Sequence, residues 1–288
     1  MQAMQMRKRV LGLEHPDTLS NMANLASTFM NQGRYKEAEE LGQPAMEIRM
    51  SVLGQEHPYT LNSMANLALT YMNQRRFTEA NELGVQAMGM RIRVLGKEHQ
   101  DTLTSMSHLA STYRNQKRWK EAEELDVMTL EMRKRVLGQE HPDTLTSMGN
   151  LVGTYMYQKR CKEAEELAVQ TIEKRKRILV HEHPSTLNSL RNLASIFWNT
   201  GRLKESEELE EMVTETKTRV FGQEHPNTLI SMLKLACTYK SRHRMEEAIA
   251  MMQQVSSIRS ATLGKDHPDT VYSISILHMW RDEEAATR

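Results

Sequence analysis

Residues 136–145 read Val-Leu-Gly-Gln-Glu-His-Pro-Asp-Thr-Leu. The same frame returns as VLGLEHPDTL (10–19), VLGQEHPYTL (52–61), VLGKEHQDTL (94–103), ILVHEHPSTL (178–187), VFGQEHPNTL (220–229) and TLGKDHPDTV (262–271). Its histidines, His15, His57, His99, His141, His183, His225 and His267, stand 42 residues apart without a slip. Laying residues 99–140 over 141–182 gives 27 identities in 42 positions. Self-similarity at a fixed period of this size is the mark of a repeat array. No insertion interrupts the period before His267, which excludes a two-domain enzyme joined by a linker.

Each period holds two helical stretches. In the first, Leu61, Met64, Leu67, Ala68 and Tyr71 recur at three- and four-residue spacings, the apolar stripe of an amphipathic helix. Pro58 suits the first helical turn, where a missing N–H costs nothing, and acids such as Asp17 and Asp143 complement the positive helix end. The stretch closes at a turn of the Asn31-Gln32-Gly33-Arg34 type, where glycine adopts a left-handed conformation. Only Gly33 and Gly201 keep that glycine. Arg75, Lys117, Lys159 and His243 replace it, so those turns carry strain or take another form.

The second stretch runs through segments such as Lys120–Leu125 to Arg135-Val136-Leu137. Gly138 then fits a C-cap, as do Gly12, Gly54, Gly96, Gly222 and Gly264. Val180 breaks the pattern, and a different loop is expected before His183. Helices of roughly 16 and 20 residues joined by short polar turns leave no room for strands, so the chain is all-α. A helix pair that is apolar on one face buries that face by stacking on its neighbours, which makes the array a solenoid with a continuous core. Ala38, Ala80, Ala122, Ala164 and Ala248, with Ser206 as the sole departure, mark where helices approach closely.

The 288 residues carry 38 Lys+Arg against 37 Asp+Glu, a formal net charge of +1. A nucleic-acid or membrane-surface protein would carry a basic excess. Mean hydropathy is −0.62, and no stretch approaches the roughly 20 apolar residues of a membrane span. The opening MQAMQMRKRV lacks the apolar run of a secretory signal, and two cysteines cannot make a disulfide framework. A cytoplasmic location is expected.

The pattern Leu67-Ala68-x-x-Tyr71, then Arg75-x-Phe77-x-x-Ala80-x-x-Leu83-x-x-x-Ala87, resembles the tetratricopeptide repeat. The 42-residue period with its VLGxEHPDTL linker resembles more narrowly the repeats of kinesin light chains, and the tandem arrays of many fungal proteins. The large aromatic often found early in the first helix is here Met22, Met64, Met106, Met148, Leu190 or Met232. The resemblance covers nearly the whole chain and implies a right-handed α-solenoid of helix-turn-helix units. The expected organisation is one solenoid over residues 1–288. A second helix alone occupies 1–14, and six full repeats span 15–56, 57–98, 99–140, 141–182, 183–224 and 225–266. A degenerate capping or truncated helix fills 267–288, where His278 and Arg281 replace the expected Ala and Tyr. A start inside a helix favours a fragment of a longer polypeptide.

Candidate chemistry reduces to binding. Equivalent histidines in stacked repeats lie too far apart to share one metal ion, so the His ladder reads as the junction between units, and no metal or other cofactor is expected. Cys161 sits where Trp119 and Phe77 sit, and Cys237 aligns with Ser111 and Leu69; both read as packing or surface substitutions. No GxGxxG, GxxxxGK[ST], GxSxG or HExxH occurs. The recurrent acids around Glu121, Glu123 and Glu124 read as a solvated face with ion pairs. The chain is expected not to be an enzyme.

The resemblance implies that first helices line a concave groove whose non-core face meets a peptide. Asn24, Asn66, Asn150 and Asn192 form one column there, with His108 and Lys234 as departures. Asn31, Asn73, Asn115 and Asn199 form a second column seven residues on, on the same helix face. An amide both donates and accepts, which suits gripping the backbone of an extended peptide; the alternative is that these amides join adjacent repeats. Methionine fills the core at positions such as Met64 but not at Met30, Met72 and Met156, whose column changes to Arg114, Trp198 and Lys240. With Arg191 and Lys234, these would favour an acidic or aromatic-plus-acidic protein or peptide partner. The expected function is a protein-interaction scaffold, with a kinesin-light-chain-like cargo adaptor among the candidates. The rivals are a sensing or oligomerisation arm of a larger nucleotide-driven (NB-ARC- or NACHT-type) signalling protein and a structural spacer.

Overall fold

A computed structural model describes residues 2–179 and 182–287. Val180, where the linker frame breaks, lies outside the described residues. These form helices joined by tight turns, with no strand among them. Two compact units divide the chain at 157/158. The first holds α1 (Gln2–Leu11), α2 (Pro16–Asn31), α3 (Tyr35–Leu53), α4 (Pro58–Asn73), α5 (Phe77–Leu95), α6 (Gln100–Asn115), α7 (Trp119–Leu137) and α8 (Pro142–Tyr157). The second holds α9 (Cys161–Ile178), α10 (Pro184–Asn199), α11 (Leu203–Phe221), α12 (Pro226–Ser241), α13 (Met245–Leu263) and α14 (Pro268–Thr287). Within each unit every helix packs against the next in sequence, and in the first unit α2, α4, α6 and α8 also touch one another in series.

The histidine ladder proves to be a series of helix caps. His57 Nδ1 accepts the Tyr59 amide at 3.2 Å, and His15, His99, His141, His183, His225 and His267 do the same two residues ahead of themselves. Each imidazole satisfies one of the donors that a helix start leaves unpaired, as Asp or Ser would elsewhere.

At the turn inside each pair, Arg75, Lys117, Lys159 and His243 take φ of 62°, 60°, 61° and 61°, the left-handed geometry that Gly33 and Gly201 adopt freely. The turn therefore keeps its form and carries the strain. Its amides close a Schellman pattern, with Arg76 N–H donating to the Tyr71 carbonyl at 2.9 Å and Arg75 N–H to Met72 at 3.0 Å. The glycine that ends α3, α5 and α7 is more specialised than a left-handed cap. Gly54, Gly96 and Gly138 pair φ of 88–93° with ψ of 163°, a region essentially reserved for glycine.

The core is a column of small contacts. Ala38, Ala80, Ala122, Ala164 and Ala248 are fully buried, and Ser206 replaces alanine only by donating its hydroxyl to the Ala194 carbonyl at 2.9 Å. Met22, Met64, Met106, Met148 and Met232 are buried against the partner helix, as in the cluster of Leu61, Met64 and Ala87.

Candidate peptide-binding face

Besides the apolar core, a row of cations joins the repeats. Arg49, on α3, donates to the Tyr59 carbonyl at 3.3 Å and the Ser63 hydroxyl at 2.7 Å on α4, and reaches Ser20 on α2 at 3.5 Å. Arg91 repeats this with Asp101 O, Ser105 and Asn62, and Arg133 with Asp143 O and Ser147. In the second unit Arg175 meets Ser185 O and Ser189, and Arg259 meets Asp269 O and Ser273. All five guanidinium-bearing residues are buried, and the acceptors named are hydroxyls, carbonyls or an amide. Burial accordingly pushes the pKa of Arg49, Arg91, Arg133 and Arg175 down. Sequence reading missed this row because a charge in a helix reads as solvated; the recurrence of arginine at 49, 91, 133, 175 and 259, three residues before the linker frame, was the available signal.

A second arginine opens each second helix. Arg76 lies over the Tyr71 ring at 4.2 Å, pairs with Glu79 in its own helix, and reaches Glu39 of the preceding repeat at 2.6 Å. Arg118 lies over Tyr113 with Glu121 at 2.9 Å, while Arg202 and Arg244 also reach back, to Glu165 and Glu207. Part of the acidic run is therefore repeat-to-repeat pairing, not only a solvated face.

Between neighbouring first helices lie small niches. One, about 330 Å³ of space open to solvent, is lined by Ala23, Ser27 and Met30 of α2, Gly42 of α3, and Ser63 and Asn66 of α4. Its counterpart one repeat on, about 300 Å³, is lined by Ala65, Gly84, Ser105 and His108 among others. Asn66 stands exposed at the first, as Asn24 does on α2; Asn150 and Asn192 are half-buried. His108 replaces asparagine at the second, where burial and the charges of Arg91 and Arg133 lower its pKa. The second asparagine column lies at the helix ends. Asn31, Asn73, Asn115 and Asn199 are exposed, and Asn73 and Asn115 donate back to the carbonyls of Leu69 (2.9 Å) and Ser111 (3.0 Å) in their own last turns.

The variable column divides. Arg114 is committed internally: its guanidinium meets the Asp126 carboxylate at 2.6 Å and Thr154 at 3.1 Å, and Thr154 donates to the same carboxylate oxygen at 2.6 Å. Asp126 stands where the earlier repeats have Gly42 and Gly84, so the pair fills the position of the niche floor. Burial pushes its carboxyl up against the opposing pull of Arg114. Lys240 is also engaged, with Glu283 at 2.6 Å and the Trp280 ring at 5.3 Å. Trp198 is 45% exposed, its indole N–H donating to Ser241 at 3.3 Å. Arg191 is half-buried, its carbonyl accepting from the Ser195 hydroxyl at 3.1 Å while its guanidinium forms no hydrogen bond or ion pair among the described residues, and Lys234 is exposed. Among the described residues no three His, Cys, Asp or Glu side chains gather in a metal-sized cluster, and no helix is long and apolar enough to cross a membrane. Cys161 and Cys237 are half-buried free thiols, and burial raises the Cys237 pKa.

Two family models described as tetratricopeptide repeat match the chain, one over residues 1–17 and 102–143, the other over 18–93, 143–218 and 185–261. The chain belongs to the tetratricopeptide repeat family. Its repeats are of the kinesin light chain-like tandem type and its fold is an all-α repeat solenoid. The nearly identical repeats of a Podosopora anserina kinesin light chain, as that structure is described, are 33% identical over 71% of this chain and 97% of that one, with a TM-score of 0.62. BtubC (BKLC) from P. vanneervenii is 18% identical over 87% of this chain and 94% of its own (TM-score 0.61). NprR in complex with its cognate peptide NprX is 13% identical over 92% and 72% (TM-score 0.66). No curated protein sequence matches. In the tetratricopeptide frame, α2, α4, α6 and α8 of the first unit and α10 and α12 of the second are first helices.

Proposed function

We propose that the chain is a non-enzymatic scaffold whose first-helix face binds a peptide or a partner segment, with an acidic or aromatic-plus-acidic segment preferred on α10 and α12. One observation carries the reading. The Arg191 and Lys234 side chains form no hydrogen bond or ion pair among the described residues, and the Trp198 ring stays exposed although its N–H is taken by Ser241, whereas Arg114 and Lys240 are consumed by carboxylates of the chain itself. An exposed indole and two cations offer stacking, cation–π contact and charge-assisted hydrogen bonds to one ligand. The fold is one in which NprR has been solved with a peptide, and a preformed helical face binds with little rearrangement. The asparagines at the niches, Asn66 foremost, would hold the ligand backbone.

A peptide-array screen tests this with wild type beside Arg191→Ala/Lys234→Ala and Asn66→Ala/Asn150→Ala/Asn192→Ala, with melting curves confirming the fold. Acidic peptides captured by wild type and lost by the first variant are the expected result, with a broader weakening in the second. Equal capture by all three chains would place binding elsewhere.

A further inference from the structure

Among the described residues two helices stand outside any complete pair. α1 packs on α2 with no first helix of its own, and α14 packs on α13 with no second helix against it. In register α1 is the C-terminal half of a second helix, its ten residues matching Gln254–Leu263 of α13, and α14 is a first helix. α14 also runs on as helix to Thr287, past Glu283, the equivalent of the Asn73 at which α4 ends and turns. A helix that passes its turn does not fold back on its own open face.

Each of the two exposes the contact that the other lacks. In complete repeats Leu19 and Met22 pack with Ile48, Leu61 and Met64 with Met90, and Leu229 and Met232 with Ile258. The equivalents on α14 are Val271, 52% exposed, and Ile274, half-buried; the equivalent on α1 is Met6, 64% exposed. Arg49 and Arg91 reach back to Ser20 and Asn62 in the first helix of their own repeat. Arg7 stands in that arginine column, and Tyr272, 55% exposed, stands in the column of Ser20 and Asn62. Arg93 pairs with Glu56, Arg135 with Glu98 and Arg219 with Glu182. The same two positions hold Arg9 and Asp266, both exposed and without an ion pair among the described residues.

The open face of α14 keeps the repeat pattern only as far as α1 reaches. In the complete pair Ala236 and Tyr239 pack with Ala248, in the first turn of α13. α1 begins after the equivalent of Ala248, and there α14 carries exposed His278 and Arg281 in place of the alanine and tyrosine. On this side of α14 lies an open groove of about 670 Å³, lined by Ile274, His278 and Arg281 and by Ser257 of α13 among others.

We propose that a second copy of the chain completes this repeat: α1 of one copy docks antiparallel on the N-terminal half of α14 of another, with Met6 against Val271 and Ile274, Arg7 at Tyr272 and Arg9 at Asp266. The interface continues a contact that the array already makes within its pairs, and the opposite charges set its register. It is heterologous, since each copy offers two different ends, so association runs head to tail. Ten residues against half a helix bury less than the roughly 1,200 Å² typical of stable complexes, so assembly is weak and concentration-dependent.

Sedimentation velocity of the full chain over a wide concentration range tests this. The weight-average mass is expected to rise above the 33.3 kDa of one chain as concentration increases. Met6→Lys and Val271→Lys each place a charge in the apolar contact and are expected to weaken association by about tenfold or more. Their melting curves are expected to match wild type, because both residues are exposed in the single chain. An equimolar mixture of the two variants retains one sound α14 and one sound α1. It is expected to associate as strongly as wild type while stopping at two chains. A wild type that stays monomeric at every concentration overturns the proposal. So does association that survives either substitution, or a mixture that remains monomeric, since the contact would then lie elsewhere or join like ends.

Discussion

Replacing Arg114 by methionine, the residue at the equivalent positions 30, 72 and 156, leaves the Asp126 carboxylate buried at 2% exposure with Thr154 as its remaining partner. Breaking a buried pair by removing one member costs about 3–5 kcal/mol, because the survivor is neither solvated nor neutralised. The carboxyl escapes part of that cost by protonation. Its folded pKa already lies above the ordinary aspartate value through desolvation, and removing Arg114 raises it further. A raised folded pKa means that the folded state binds its proton before the unfolded state does, so the lost stability returns as pH falls through the folded pKa. The variant should therefore be most destabilised near neutrality and recover as the pH falls towards the ordinary carboxylate range. Arg114→Met/Asp126→Ala installs the combination that Met156 and Ala168 present in the next repeat, and should lie within about 1 kcal/mol of wild type. Urea denaturation followed by circular dichroism, at constant m, measures each corner of the cycle. A single variant costing under about 1 kcal/mol, or a double variant no more stable than the single, would refute the account of Arg114 as a structural ion pair.

Three further outcomes are expected. Ala122→Leu forces extra atoms into a fully buried helix contact and should cost about 1–3 kcal/mol in denaturant; an unchanged midpoint would contradict the packing. Lys117→Gly relieves a left-handed residue at φ 60° and should stabilise by about 0.5–1 kcal/mol, read as a rise in Tm, whereas a fall would show that the lysine side chain matters more than its backbone. His141→Ala removes the 3.1 Å cap on the Asp143 amide and should cost about 0.5–2 kcal/mol, with faster amide exchange in the first turn of α8; unaltered exchange there would deny the cap its role.

The period, the helix pairs and the alanine contacts were legible because they depend on local rules repeated at one spacing, so each repeat checks the others. The left-handed turn was legible from Gly33 and Gly201, and Lys117 obeys it despite the wrong side chain. Spacing says which helix face a residue occupies but not what crosses from the next helix. That is why Arg114 resembled a free ligand-binding cation in sequence. The trace of its real partner was present: arginine enters a methionine column and aspartate enters the glycine column of Gly42 and Gly84 in the same repeat. The Arg49–Arg133 row escaped notice for the opposite reason, since invariance in a linker-adjacent motif reads as punctuation, and hydropathy gives no hint that a guanidinium can be buried on hydroxyls and carbonyls. The binding state of Asn66 or Trp198 lies beyond both, because it belongs to a ligand's surface.

The arginine row also bears on how such a chain can grow. Arg91 takes acceptors from Asn62 behind it and Ser105 ahead, so every unit carries the donor for its successor and acceptors for its predecessor. A duplicated stretch of 42 residues, wherever in the cycle it begins, inserts one donor together with its matching acceptors. Array length can therefore change by whole units through unequal exchange, each new junction arriving already matched, while functional novelty is confined to the few columns that take no part in holding neighbours together.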